Sequence, residues 1–149
     1  MAEFNVVGFD EIEKEILRRS EAAQRIAPDM LKAGASILIT AQKAELRRIS
    51  RGDRSIGTLA DSIGMGKIRN SKDALKMYVD VYPQDDQPHG TPGFGLGKNK
   101  YVSNAQVGFT LEYGSSDMPS RPWMSVALQK SETAIHDAMI TVWEEKQNE

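Results

Sequence analysis

The chain has 149 residues, 40% hydrophobic and 27% charged, which suits a single domain, residues 1–149, with one modest core. A net charge of −2 leaves no general electrostatic surplus for binding phosphates. The absence of cysteine excludes disulfides and thiolate catalysis, and the two histidines, His89 and His136, lack metal-ligand spacing.

Residues 1–8 are expected to be flexible and show no basic-then-apolar pattern of a signal peptide. Asp10 followed by Glu13 resembles a capping box, with Glu11, Glu13 and Glu15 early and Arg18, Arg19 and Arg25 later, as a helix dipole favours. Ile12, Ile16, Ala23 and Ile26 then make a narrow apolar stripe on a helix over about 10–26. Pro28 either interrupts this helix or sits within one long kinked helix. Met30, Leu31, Gly34, Ile37, Leu38, Ala41 and Ala44 carry the helical spacing on to about residue 49. Its end is basic, with Arg47, Arg48, Arg51 and Arg54, and Gly52-Asp53 supplies a turn.

Thr58 and Asp61 have the spacing to cap a short helical turn leading into Ile63. Leu75, Met77, Val79 and Val81 alternate with polar or amphipathic residues, so residues 75–82 read as a strand. Asn70-Ser71-Lys72-Asp73 is turn-like, and pairs 63–69 with 75–82 as a hairpin. Residues 83–100 hold three prolines and four glycines, the composition of a long mobile loop. Val107, Phe109, Leu111 and Tyr113 alternate, which suggests a third strand; a short helix over part of 103–112 is the alternative. The last helix covers about 122–146, with Met124, Ala127, Leu128, Ile135, Ala138, Met139, Val142 and Trp143 on its apolar face and fraying over 145–149. No apolar run is long enough to span a bilayer. The fold class is α+β: a long N-terminal helical region, a small antiparallel sheet with a long Gly/Pro-rich loop, and a C-terminal helix packed on the sheet.

Several residues invite chemistry. Gly93, Gly95, Gly97 and Lys98 suggest a phosphate loop, but Pro92 stands where the first P-loop glycine belongs and Asn99 replaces the Ser/Thr. A surface loop is the better reading. Arg47, Arg48, Arg51 and Arg54 are candidates for contacting a nucleic-acid backbone, yet no interleaved aromatics accompany them, and cations finishing a helix explain them as well. Asp80, Asp85 and Asp86 lack a calcium-loop pattern, and His136 falls on the polar side of the last helix. No catalytic, cofactor-binding or metal-binding set emerges. Trp123 and Trp143 read first as core anchors; Trp123, just after Pro122, and Phe94 in the long loop are also candidate interface residues.

Three segments together resemble a family. Gly57-Thr58-Leu59-Ala60-Asp61-Ser62-Ile63 is similar to a G-x-L-x-x-S-I element, Glu112-Tyr113-Gly114-Ser115 to an E-[FY]-G-[TS] element, and Pro122-Trp123-Met124 with Ala127-Leu128 to the opening of a C-terminal helix. In this order they resemble the small head–tail joining, tail-completion or minor tail-component proteins of long-tailed double-stranded-DNA bacteriophages. Residues 64–73 have no counterpart in that pattern. The positions carried over are Gly57, Leu59, Ser62, Ile63, Glu112, Tyr113, Gly114, Pro122 and Trp123. The resemblance implies an α+β protein without enzymatic activity or cofactor, assembled in the bacterial host cytoplasm and located in the virion neck. Its implied partners are copies of itself, in a ring expected to be hexameric, and neighbouring head-connector and tail proteins. It implies no membrane partner and at most non-specific contact with nucleic acid. The rival readings are a sequence-independent nucleic-acid-binding module using the arginine cluster and a phosphate-handling enzyme using the glycine loop.

Overall fold

Residues Phe9–Ser50 form one α-helix, α1, in the computed structural model, which describes residues 9–50, 54–72, 76–84, 91–92 and 101–149. The two readings of residues 10–49 resolve into a single helix that runs through Pro28. Proline removes one N–H, so the Gln24 carbonyl loses its helical partner, a cost of about 3 kcal/mol in a helix interior. Gln24 is exposed, which leaves water free to serve that carbonyl.

Packing sets in at this level of the helix. Ile26 is buried, and from there α1 lies against α4, Met124–Lys146, which runs antiparallel to it. The Lys130 ammonium meets Glu45 at 2.5 Å at one end, and Lys146 meets Asp29 at 2.6 Å at the other. Gly34 marks a close approach of the two helices. A β-carbon there would lie 3.1 Å from Ile135 Cγ2 and 3.2 Å from Met139 Sδ. Ile135 and Met139 therefore face α1, and Leu128, expected on the apolar face, is exposed. Residues 145–149, expected to fray, stay helical to Lys146 and end in a turn whose Gln147 N–H donates to the Trp143 carbonyl.

A short helix, α2 (Arg54–Ser62), follows and begins four residues before Thr58, so Thr58 is an interior residue rather than a cap. The strands are short: β1 Ile63–Met65, β2 Arg69–Asn70, β3 Met77–Tyr78, β4 Val81–Pro83, β5 Thr91–Pro92 and β6 Tyr101–Val102. β1 pairs antiparallel with β4 and β2 with β3, the hairpin that the alternation predicts, in the register Ile63↔Pro83 and Arg69↔Tyr78. Part of the expected 83–100 loop is ordered as strand: Pro83 ends β4, and Thr91–Pro92 pairs with Tyr101–Val102. Proline is tolerated in such two-stranded ribbons because each strand has a free edge. The glycine-rich stretch with Phe94 and Lys98 lies outside the described residues.

The helix alternative holds for the segment after the loop, where α3 spans Asn104–Tyr113. Ser103 caps it, its hydroxyl accepting from the Gln106 N–H at 3.2 Å. The apolar alternation that suggests a strand divides into two i,i+4 pairs on opposite helix faces. Val107 and Leu111 turn to the core, whereas Phe109 and Tyr113 point outward.

One core joins these elements. Leu46, Ile49, Leu59, Ala60, Ile63, Leu111 and Trp123 are buried together, with Val81 and Met124 packed against them. The start of α4 thus packs on the strand-bearing core, while the rest of it lies along α1. The fold is α+β.

Candidate interaction surface

The junction between α3 and α4 gathers the residues picked out by pattern. An α-helix leaves its first N–H groups without intrahelical partners, and the N-cap side chain normally accepts from one. The N-cap of α4 is Trp123, whose indole has no acceptor atom to offer, and no side-chain cap bond forms there. Glu112 of α3 takes over that task. Its Oε2 accepts from the Trp123 and Met124 N–H groups at 2.7 and 2.8 Å. Its Oε1 accepts from the Ser125 hydroxyl at 2.6 Å and the Ser125 N–H at 3.2 Å. The carboxylate also sits at the positive end of the α4 dipole. Burial pushes the Glu112 pKa up, but the Ser125 hydroxyl and the three N–H groups outweigh it, and the net shift is downward.

Chain geometry between the two helices is equally constrained. Gly114 has φ +78°, and a β-carbon there would lie 2.8 Å from the Ser120 nitrogen and 2.9 Å from the Met118 carbonyl oxygen. Only glycine fits both the conformation and the space. Ser115 and Met118 exchange backbone hydrogen bonds, and the Arg121 N–H donates to the Leu111 carbonyl at 2.7 Å. The E-Y-G and P-W-M segments are therefore the two halves of one cap and turn.

Trp123 belongs to the core and is corrected as an interface candidate: it is 0% exposed. Its Nε1–H donates to the Gly108 carbonyl at 2.9 Å, which satisfies the one polar atom of the ring. Leu59 and Ile63 join it in the core, and the Ser62 hydroxyl donates to the Leu59 carbonyl. Gly57 lies within α2, and Pro122 is exposed at the turn.

Tyr113 is the large aromatic pattern residue that faces outward. It is 65% exposed and pairs with Phe109, 62% exposed, the ring centroids 4.6 Å apart and tilted by 48°. Two large aromatic rings held together on the outer face of a clamped helix form the best-defined apolar contact feature beside the junction. The same 107–113 alternation contained this signal, but reading it as a strand concealed the ring pair. Sequence reasoning also passed over Ser103, Ser125 and the Glu45–Lys130 ion pair. The Ser103 cap has a local signal that the strand reading of 107–113 hid, whereas Ser125 and the Glu45–Lys130 ion pair have partners distant in the chain.

Of the arginine cluster, the two described side chains, Arg47 and Arg48, each have an acidic partner. Arg47 lies 3.6 Å from Asp61 and Arg48 2.8 Å from Glu45, while Arg51 and the Arg54 side chain lie outside the described residues. Asp80 pairs with Arg69, which also stacks its guanidinium over Tyr78 at 5.1 Å; Asp85 and Asp86 lie outside the described residues. His136 is exposed, as its spacing predicts. Among the described residues, no group of three His, Cys, Asp or Glu side chains is placed to hold a metal ion.

Comparison of the chain with protein-family models, with curated proteins and with solved structures gives no match.

Proposed function

We propose that this chain is a structural virion protein of a phage neck or tail top, joining tail to head through assembly as a ring and contacts with neighbouring ring proteins. It works by binding and needs neither catalysis nor a cofactor. One observation supports this reading above the others. The three segments that resemble the joining proteins converge on one core and one helix cap, and they leave the Phe109–Tyr113 pair exposed beside it. Buried pattern residues then serve the scaffold, and the outward ring pair serves recognition, because aromatic residues anchor protein contacts.

The test is a full-length variant carrying Phe109→Ser and Tyr113→Ser. Both side chains are exposed, so the variant should fold with wild-type stability yet fail to restore joined particles in a phage lacking the protein. Restored joining at the wild-type level would remove this pair from the contact surface. Salt-dependent DNA binding by the purified chain, lost on replacing Arg47 and Arg48, would instead favour the nucleic-acid reading.

A further inference from the structure

We infer that the outward face of the β1–β4 hairpin, around Tyr78 and Tyr82, binds single-stranded nucleic acid. This surface is distinct from the Arg47 and Arg48 cluster, goes beyond the joining role and stands without it.

The resemblance to joining proteins leaves residues 64–73, most of the first arm of this hairpin, without a counterpart. Exposure alternates along the second arm. Lys76, Tyr78, Asp80 and Tyr82 are exposed, and Met77, Val79, Val81 and Pro83 between them are half-buried. Contacts from the first arm define the outward face. Arg69 stands opposite Tyr78, stacks its guanidinium over that ring at 5.1 Å and pairs with Asp80. The Ser71 N–H donates to the Lys76 carbonyl at 2.7 Å, which extends the same register and sets Lys76 on the face of Tyr78. At Gly66 a β-carbon would lie 2.9 Å from Tyr82 Cε1, so glycine there lets the Tyr82 ring rest against the first arm. Tyr78 remains 42% exposed and Tyr82 46%. Between Met65↔Val81 and Arg69↔Tyr78 the first arm holds one residue more than the second, and Lys67 is exposed at this bulge.

Charge and ring chemistry together select the partner. The described part of the hairpin carries Lys67, Arg69, Lys72 and Lys76 against Asp80, while Asp73 lies outside the described residues. The whole chain has a net charge of −2, so these cations gather against its overall sign. Asp80 is already neutralised by Arg69, and the three lysines are exposed. Two open phenol rings among long cationic side chains match a flexible polyanion that also has flat apolar faces. A single strand offers bases to stack on the tyrosines and phosphates to meet the lysines, and such stacking accepts any base. The Arg69 guanidinium over Tyr78 already shows that ring taking a flat cationic partner. A duplex keeps its base faces stacked inside and would leave both rings unused. An acidic peptide would engage the lysines but bring nothing flat to the tyrosines.

The test is fluorescence anisotropy of a labelled oligothymidine of about twelve nucleotides, within the span one small domain covers, titrated with the full-length chain over a range of salt. Binding should weaken as salt rises. Tyr78→Ala with Tyr82→Ala should weaken it about tenfold or more. Lys67→Gln, Lys72→Gln and Lys76→Gln together should lower the slope of log affinity against log salt by about 2, since each phosphate contact on a single strand contributes about 0.7. These lysines are exposed, so the triple variant should keep the wild-type urea midpoint and tests the face even if the tyrosine variant is destabilised. Four results would overturn the proposal: no binding at low salt; a duplex of the same length bound as tightly as the single strand; polyglutamate bound as tightly as the single strand; or a salt slope that the lysine variant leaves unchanged while Arg47→Gln with Arg48→Gln lowers it.

Discussion

A single carboxylate, Glu112, closes the first turn of α4 from another helix, and three expectations follow around it. Its folded pKa lies below the unfolded value, so its contribution to stability is fully present above the ordinary glutamate range, about pH 4.3, and is lost as pH falls through the folded value. Glu112→Gln keeps the shape and removes the charge. It should cost about 1–3 kcal/mol at neutral pH, the scale of hydrogen bonds to a charged group. The gap between variant and wild type in urea titrations should narrow as pH drops below about 4. Gly114→Ala should cost about 1–3 kcal/mol, since its backbone conformation is nearly closed to other residues. Trp123→Ala should cost about 3–5 kcal/mol, the range for a buried aromatic truncated to alanine. The pattern in the sequence marked all three positions but not their work. A cap supplied across eleven residues of chain has no local signature, and a tryptophan after a proline looks the same whether its indole N–H meets water or the Gly108 carbonyl.

Among the elements, α1 and its partner were legible because their periodicity is long and continuous, and Pro28 left only the question of one helix or two. The pairing of α1 with α4 was not legible, since it rests on Gly34, whose value is the side chain it lacks. Gly34→Val should push Ile135 and Met139 away and destabilise the chain by about 1–3 kcal/mol, read from its denaturation midpoint. The short α3 was ambiguous for a different reason. Four apolar residues at a spacing of two satisfy a strand pattern, and they satisfy a helix that is apolar on two faces. The second face is the outward one, so Phe109→Ser with Tyr113→Ser should change stability by no more than about 0.5 kcal/mol, as for other exposed sites. A larger loss would mean that the rings support the monomer rather than a contact.

For the whole molecule, the sequence bounded the α+β class and one shared core, because length and apolar content allow little else. The functional proposal rests on a resemblance spread over three segments, since binding surfaces carry no chemistry that spacing alone reveals. The structure gives those segments a common place, the junction of α2, α3 and α4, and among the described residues no helix is long and apolar enough to cross a membrane. The joining proposal is tested most directly by electron microscopy of a phage lysate from which this protein alone has been deleted. The account predicts DNA-filled heads and complete but unattached tails, rejoined when the wild-type chain is supplied. Normal, infectious, joined particles from the deletion would contradict it.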